Sequence, residues 1–285
     1  MGELVLGTSG WSYSEWGGVF YPTSSTNKLS FYSKVFTTAE IDSTFYAYPA
    51  KGLVMGWSRY TPDDFVFSAK LPQQITHEKN LELGKGVESD LTKFLSLMKP
   101  LIASGKLGPV LIQLPPSFTY DEDYGKLEGF LGVIPEDVMF AVEFRHPSWL
   151  RSEAWSLLRS HNVANVIVDE PLLPPDTVVT ADFSFIRWHG RGTRPWYNYR
   201  YSERELESWV PRIKEVTGTV KKTFGYFNNH FRGFAVENSL RMMKMLGVSS
   251  AKQDETRERA TNFIEGRKGD GKEGSMLEYV AEKGE

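Results

Sequence analysis

The residues best suited to chemistry lie at the ends of short apolar segments, most clearly within residues 183–201. A strand-like run there places Arg187 and His189 on one face, because side chains along a strand alternate with a period of two. The chain then breaks at Gly190. The loop that follows is both basic and aromatic, and contains Arg191, Arg194, Trp196, Tyr197, Tyr199 and Arg200. A buried strand that opens into such a loop is typical of one wall of a ligand site. The alternative is a surface loop whose aromatic side chains pack on their own scaffold.

Seven further apolar segments also end in polar side chains. These residues are Ser9, Glu40, Asp42, Lys70, Gln113, Glu143, Arg145, Asp169, Glu170, Asn228 and Asn229. Lys70 and Arg145 of this group, together with Arg187, are suited to bind a phosphate or a carboxylate, since arginine offers a bidentate fork. The sequence therefore predicts a ligand site at which strand ends converge.

The carboxylates and the imidazole of this group allow two kinds of chemistry. Glu143 or Asp169 is predicted to act as a general base, and His189 as a general acid or base. The same three groups, with Glu40 and Asp42, are also suitable ligands for magnesium, manganese or zinc. Cationic side chains at the same place disfavour a metal ion, so we expect an anion site with neither a metal nor a cofactor.

Several uncharged side chains are also expected to contact the ligand. Ser9 is adjacent to Gly10 but lacks the G-x-S-x-G context of a serine nucleophile, so a catalytic role for it is the weaker alternative. The remaining predicted ligand contacts are Trp11, Asp42, Gln113, Asn228, Asn229, Arg191, Trp196 and Tyr197.

Composition restricts the class of protein. The chain is 40% hydrophobic and 24% charged, which is typical of a globular fold with a sizeable core. Its net charge of −3 means that any nucleic-acid binding must come from a local patch. The absence of cysteine excludes disulfides and cysteine-based catalysis or metal binding. No apolar run is long enough to span a bilayer, and no basic leader precedes the first strand, so we expect a cytoplasmic protein with no membrane partner.

The apolar segments alternate with helical patterns along the chain. Strands are predicted at residues 4–9, 39–45, 65–71, 109–114, 139–145, 165–169, 183–189 and 223–228. Their nearly continuous hydrophobicity indicates a parallel sheet buried on both faces, and eight strand–helix units match an α/β (β/α)8 TIM barrel. An open doubly wound sheet is the alternative, but the first strand is not followed by a G-x-G-x-x-G loop.

Two segments depart from a regular strand–helix repeat. The proline-rich residues 170–176 cannot form a regular helix, so the crossover after the sixth strand is predicted to be abbreviated. The barrel is expected to form one domain over residues 1–248. Residues 249–285 are charged and Gly-rich, and we expect them to be largely disordered, with at most a weak helix at 255–264.

Many of these strand ends carry motifs that resemble the YecE-like family, the "domain of unknown function 72" proteins. The motifs include Gly7-Thr-Ser-Gly-Trp-Ser-Tyr13, Glu40-Ile-Asp-Ser-Thr-Phe-Tyr46, Phe67-Ser-Ala-Lys70, Gln113-Leu-Pro-Pro116, Ala141-Val-Glu-Phe-Arg-His146, Arg187-Trp-His-Gly190 and Tyr226-Phe-Asn-Asn229. The resemblance extends over about residues 4–247 and comprises many motifs in the same order. It implies a TIM barrel similar in shape to xylose isomerases and endonuclease IV.

The resemblance does not assign an activity, because the activity of the family is unsettled and a nucleic-acid role rests on fold similarity. This sequence departs from the family pattern at two positions. Asp42 replaces the usual Asn, which adds a carboxylate to the mouth, and His230 replaces a common Asp, which adds an imidazole near it.

The sequence therefore predicts a barrel that binds an anionic, phosphate- or sugar-bearing ligand at its mouth, with hydrolase-like acid–base chemistry. The alternative is a nucleic-acid or nucleotide binding protein without catalysis, in which Trp196 and Tyr197 stack on bases and Arg191, Arg194 and Arg200 contact phosphates.

Overall fold

Eight parallel strands close into a barrel, in the order in which they occur in the sequence, within the part of the chain that the structure describes. The computed structural model describes residues 2–23, 25–193 and 195–266, so Arg194 and residues 267–285 lie outside it. The strands are β1 (Glu3–Ser9), β2 (Thr38–Ile41), β3 (Val66–Lys70), β4 (Leu107–Gln113), β5 (Phe140–Glu143), β6 (Ala164–Asp169), β7 (Phe183–Trp188) and β8 (Lys222–Phe227). The predicted (β/α)8 TIM barrel is confirmed.

Parallel pairing brings all the C-terminal strand ends to one end of the barrel. Strand β8 closes the barrel by pairing with β1, where Val5 is level with Phe224. On the other side, Gln113 of β4 is level with Glu143 of β5. The side chains that follow the strands therefore converge on one mouth, where active sites of this fold lie.

Each strand is buried on both faces, and its two rows of side chains enter different cores. The barrel interior contains Val5, Leu111, Ala141, Val166, Val168, Phe183, Phe185, Phe224 and Tyr226. The larger core between strands and helices contains, among others, Ile112, Val142, Ile167, Ile186, Trp188 and Phe227. Side chains two residues apart on a strand share a face, so Arg187 and His189 follow Phe185 in the interior row. Both therefore lie at the mouth end of that row.

The described helices are α1 (Lys28–Tyr32), α2 (Lys51–Arg59), α3 (Val87–Ala103), α4 (Tyr120–Leu131), α5 (Ser152–Ser160), α6 (Glu203–Thr219), α7 (Phe234–Leu246) and α8 (Ala251–Ile264). The apolar stripe of α3 is buried at Leu91, Phe94, Met98 and Leu101, as its spacing of three and four residues predicts. Helix α6 begins with the predicted capping box, formed by Ser202 and a neighbouring glutamate. None of the helices in residues 2–266 is both long and apolar enough to cross a membrane.

The crossover from β6 to β7 is abbreviated, as predicted. Residues 170–182 contain no helix, and the chain passes directly from one strand to the next. Because no helix follows β6, Glu170 and Leu172 lie at the mouth of the barrel, where they line a cavity.

The structure differs from the sequence-based expectation at the C-terminal end. Residues 251–264 form the helix α8, whereas we expected disorder with at most a weak helix at 255–264. Thr256 and Ala260 are buried, and α8 packs along α7. The expectation of disorder is therefore wrong for α8, and for residues 267–285 it concerns positions outside those that the structure describes.

The docking of α8 depends on polar contacts that a hydrophobic pattern does not reveal. The side chain of Gln253 donates to the carbonyl of Val35 at 2.7 Å. Farther along the helix, Arg259 donates to the carbonyl of Phe20 at 3.2 Å. Both acceptors lie in the segment that surrounds α1, so α8 joins the first and last parts of the barrel.

Candidate functional site

A cavity of about 360 Å³ opens at the C-terminal mouth of the barrel. It is lined by Asp42, Tyr46, Lys70, Gln113, Pro116, Arg145, Glu170, Leu172, Arg187, His189, Trp196, Tyr197, Asn228 and His230. Nine of these residues were predicted ligand or catalytic residues from their positions at strand ends. A cavity of this size and position is typical of a site for a small ligand.

Arg187 forms the floor of the cavity, where it joins two buried carboxylates. Its Nη2 donates to Glu40 at 2.6 Å and its Nη1 donates to Glu143 at 2.7 Å. Burial disfavours the charge on Arg187, but the carboxylates of Glu143 and Glu40 outweigh this cost and raise its pKa. Both terminal nitrogens therefore already donate to carboxylates. Arg187 mainly links Glu40 and Glu143, and it is less available for a ligand.

Glu143 is enclosed by cationic side chains from two strands. Besides Arg187 it forms an ion pair with Arg145, and His189 Nε2 lies 3.4 Å from its Oε1. Burial alone would raise the pKa of Glu143, but Arg145 and Arg187 hold it well below its usual range. Glu143 is thus an anchored anion that positions its neighbours, and it does not line the cavity.

Arg145 connects the buried Glu143 to the cavity wall through ion pairs. Its second terminal nitrogen forms an ion pair with Glu170, which lines the cavity at the end of β6. Burial raises the pKa of Glu170 in spite of the neighbouring Arg145. Glu170 therefore carries a proton more readily than an exposed glutamate does.

His189 lies between Arg145 and Asn228 at the cavity wall. Arg145 Nη2 lies 3.0 Å from Nε2, and the side-chain amide of Asn228 lies 3.0 Å from Nδ1. Burial and the positive charge of Arg145 lower the pKa of His189 to about 3. The imidazole is therefore neutral at neutral pH. Since a guanidinium only donates, Nε2 accepts from Arg145, and a proton on Nδ1 pairs with Asn228 when the side-chain amide presents its oxygen to the ring.

Lys70 occupies the opposite part of the wall and is only weakly paired. Its Nζ lies 3.5 Å from Asp42 and 3.8 Å from the centre of the Phe45 ring. Burial lowers the pKa of Lys70 although Asp42 acts against it. Among the cations that line the cavity, Lys70 is the one with the longest ion-pair distance.

Aromatic side chains form the outer wall. The His230 ring stacks between Tyr13, at 4.4 Å, and Tyr197, at 5.1 Å between ring centres. Tyr46 at the rim is largely exposed, and Trp196 lines the same opening. The predicted loop aromatics Trp196 and Tyr197 therefore line the cavity.

Asp169, which we predicted as a candidate catalytic base, does not line the cavity. It lies on the outer row of β6, level with Trp188, and accepts hydrogen bonds from Arg191 at 2.7 Å and from Trp209 Nε1 at 2.6 Å. Arg191 is thus engaged by Asp169 and does not line the cavity either. Together they fix the loop to α6, and Glu170, one residue later, takes the place at the mouth.

Three other predicted contacts have structural partners. Ser9 donates to Glu40 at 2.6 Å and is buried. Trp11 packs against Phe67, with ring centres 5.6 Å apart, and against Trp57. Asn229 is buried and donates to the carbonyl of Tyr199 and to another side chain. None of the three lines the cavity.

Five cavity residues were missing from the predicted ligand contacts, namely Tyr46, Pro116, Glu170, Leu172 and His230. Glu170 is adjacent to the predicted Asp169, and His230 is adjacent to the predicted Asn229. Strand alternation would have identified Glu170 if it had been known which residues of β6 face the barrel interior. Tyr46 lies in a turn after β2 and has no pattern that marks it. Strand alternation cannot select the row here, because both faces of a barrel strand are apolar.

The metal alternative finds no geometric support. In residues 2–266, outside positions 24 and 194, no group of three or more His, Asp or Glu side chains is arranged to hold a metal ion. Three of the four carboxylates that we considered as ligands are engaged by arginines, Glu40 and Glu143 by Arg187 and Asp169 by Arg191, whereas Asp42 lies 3.5 Å from Lys70.

Comparisons with known proteins place the fold and the family. The family described as "Protein of unknown function DUF72" matches residues 5–262. A Bacillus subtilis (strain 168) relative, UPF0759 protein YunF, is 27% identical over 270 residues, 86% of this chain and 95% of that protein. UPF0759 protein YecE of Escherichia coli (strain K12) is 28% identical over 212 residues, 66% of this chain and 74% of that protein.

Two solved structures extend the same comparison. A DUF72 family protein from Thermotoga maritima is 35% identical with a TM-score of 0.77, over 86% of this chain and 99% of that one. A DUF72 family protein from Enterococcus faecalis is 26% identical, also with a TM-score of 0.77, over 87% of this chain and 96% of that one.

Proposed function

The chain belongs to the DUF72 family, and from the geometry of its mouth we propose that it is an enzyme that binds a small anionic ligand there and performs hydrolase-like acid–base chemistry. The ligand class is a phosphate- or carboxylate-bearing sugar or a similar polar molecule. The single observation that carries the proposal is the convergence of Lys70, Arg145, Glu170 and His189, from four different strands, on one cavity.

Support for an anionic ligand comes from the cations of the wall. Lys70 pairs only at 3.5 Å with Asp42, so an incoming anion gains a charge-assisted contact without first breaking a short ion pair. Arg145 lines the same cavity and is held in place by Glu143. A small polar ligand with aromatic walls at Tyr197 and Trp196 fits the remaining surface.

Support for acid–base chemistry comes from two groups that differ in protonation. Glu170, whose pKa is raised by burial, is the candidate acid. His189, which is neutral, is the candidate base, and binding of an anion would raise its pKa. Two titratable groups whose surroundings push their pKa values apart are the usual arrangement of an acid and a base.

The proposal is tested by isothermal titration with glucose 6-phosphate, inorganic phosphate and neutral glucose. The wild-type protein should bind the two anions, and Lys70→Gln should weaken their binding by about 1.5–3 kcal/mol, the range for a hydrogen bond to a charged group. Lys70→Arg, which keeps the charge, should retain most of the affinity, and Lys221→Gln at the exposed surface is the matched control. Binding of glucose but of neither anion would reject the proposal.

A nucleic-acid binding function is the second candidate, favoured by the exposed aromatic rim of Tyr46 and Tyr197. Two of its proposed phosphate contacts are already neutralised, since Arg191 pairs with Asp169, and Arg200 pairs with Glu237 and Glu265. Arg194 lies outside the described residues. We therefore rank this function below the small-ligand enzyme.

A further inference from the structure

Lys70 has an environment unlike that of a structural lysine. It is 6% exposed, lines the cavity, and packs its Nζ against the Phe45 ring at 3.8 Å. Its hydrogen-bonded partner among the described residues is Asp42, at 3.5 Å. A lysine placed in this way has lone-pair and N–H directions open to a molecule in the cavity.

A second buried lysine provides the comparison. Lys106 is 3% exposed, and its Nζ donates to the carbonyls of Ser58 and Thr61 at 2.7 and 2.8 Å. It also lies 3.4 Å from the Thr61 hydroxyl. This ammonium is saturated with oxygen acceptors, as a buried charge requires, whereas Lys70 is not.

We propose that Lys70 is a nucleophilic amine that forms an imine with an aldehyde or ketone ligand bearing an anionic group. The inference rests on the proposed function and adds a covalent step to the same cavity. A lysine that is desolvated and lies near other cations is a recurrent form of activated nucleophile. Both conditions hold here.

The charges that face Lys70 come from several elements. They are the carboxylates of Asp42, Glu40 and Glu143, the guanidinium of Arg187 and, beyond the Phe45 ring, the imidazole of His77. Burial and Arg187 favour the neutral amine, and the carboxylates favour the ammonium. The balance lowers the pKa of Lys70 and increases the fraction of amine near neutral pH.

The step conserves atoms and electrons without a further reagent. The Nζ lone pair forms a bond to the carbonyl carbon, and the carbonyl oxygen takes up one proton to give a carbinolamine. The carbon–oxygen bond then breaks, and the oxygen leaves as water with the two hydrogens that the amine has lost. The neutral imine takes up one proton from solvent at Nζ, and the resulting iminium withdraws electrons from the adjacent carbon, where His189 or Glu170 in the same cavity can remove or return a proton.

The test is reductive trapping on the intact chain. Wild-type protein is incubated with glycolaldehyde phosphate, or with glycolaldehyde as the uncharged counterpart, in the presence of sodium cyanoborohydride. Adducts are located by peptide mass spectrometry. Lys70 should be modified about ten-fold faster than the exposed Lys221 or more, since the cavity holds the aldehyde beside it and a lowered pKa leaves more neutral amine. Lys106, in the same sample, is the buried reference.

Three outcomes decide the proposal. Faster modification with the phosphate-bearing aldehyde, a rate–pH midpoint for Lys70 below that of Lys221, and loss of the adduct in Lys70→Arg support it. Modification of Lys70 no faster than that of Lys221 overturns it, as does an undiminished amount of adduct in Lys70→Arg. If trapping fails while phosphate still binds, only the imine is rejected; if no anion binds, the proposed function fails as well.

Discussion

The buried charges of the mouth form one connected network in which Arg187 holds the central position. It bridges Glu40 and Glu143, and Glu143 in turn orients Arg145 and His189. A guanidinium can do this because its planar fork places two donors toward two different carboxylates. The first consequences of the structure therefore concern stability, since the groups that shape the cavity also depend on one another.

Replacement of Arg187 by alanine should lower the free energy of unfolding by about 3–5 kcal/mol, because two buried carboxylates lose their common partner. Urea unfolding monitored by tryptophan fluorescence measures the change. The free energy of unfolding of Arg187→Lys should lie between those of Arg187→Ala and the wild type, since an ammonium cannot bridge both carboxylates in the same way. Lys221→Ala, which breaks an exposed pair, should leave the urea midpoint unchanged, and an equally unchanged midpoint in Arg187→Ala would contradict the bridge.

The pH dependence of stability should depend on His189. Its pKa is about 3 in the folded protein and about 6.5 in an unfolded chain, so the unfolded state binds the proton more tightly. The stability that the neutral ring contributes is thus fully present above about pH 6.5 and is lost as the pH falls toward 3. The pKa values of His77 and His230 are also lowered, so these two residues likewise reduce stability as the pH falls.

His189→Gln should therefore reduce the uptake of protons on unfolding by about half a proton at pH 6.5 and by about one at pH 5. The measurement is the slope of the unfolding free energy against pH, taken from urea titrations at several pH values. His161→Gln, at an exposed histidine on the far side of a helix, is the matched control. A slope that is the same in His189→Gln and in the wild type would show that the buried ring is protonated in the folded protein.

Two elements outside the strands contribute to the mouth and to the stability of the barrel, namely the loop after β7 and the helix α8. The loop after β7 covers the cavity with Trp196 and Tyr197, and α8 joins α7 to the segment around α1. Each has a separate test.

Gly190→Ala should reduce ligand binding through the loop while leaving the barrel folded. Gly190 has φ +92°, and a Cβ there would lie 2.4 Å from the carbonyl oxygen of Trp196, so the loop must shift. We expect weaker binding of glucose 6-phosphate by calorimetry. Gly247→Ala is the matched control, because Gly247 also has a positive φ, of +74°, but lies in open space. Equal loss of affinity in both variants would show that the effect is not specific to the loop.

Removal of α8 should destabilise the protein, contrary to the expectation from composition. A chain that ends at Val248 loses the hydrogen bonds from Gln253 and Arg259 and the burial of Thr256 and Ala260. Its melting temperature should be several degrees lower than that of a chain that ends at Gly266, and this comparison isolates α8. Equal melting temperatures would mean that the docked helix contributes nothing to stability.

At the scale of the whole molecule, charge pairing argues for a small ligand over a polyanion. The net charge is −3, and Arg191 and Arg200 of the loop are engaged by carboxylates. A nucleic-acid binding surface needs several cations that can release counterions from phosphates. The cavity instead offers a few partly paired cations inside a volume of about 360 Å³.

A short single-stranded oligonucleotide should therefore not bind with the steep salt dependence of a protein that neutralises several phosphates. Fluorescence anisotropy over a series of salt concentrations measures this. A titration with inorganic phosphate under the same conditions is the positive control. Tight oligonucleotide binding that weakens steeply with salt, and that is lost on replacement of Trp196 and Tyr197, would favour the nucleic-acid alternative.

The sequence by itself determined the barrel and most of its mouth. Eight apolar segments alternate with amphipathic helices, and parallel strands place all their C-terminal ends together, so Lys70, Arg145, Arg187 and His189 could be assigned to one site before any coordinates were known. The family motifs at the same strand ends led to the same conclusion. These inferences depend on local periodicity and on a rule of topology, which the sequence carries directly.

Only the tertiary structure decided which side chains face the cavity and which are neutralised. The strands are apolar on both faces, so alternation could not tell that Glu170 faces inward and Asp169 outward. The ion pairs that occupy Arg187 and Arg191 join distant segments, and α8 docks through polar side chains that bind backbone carbonyls far away in the sequence. Such long-range pairings depend on barrel closure and leave no periodic trace in the chain.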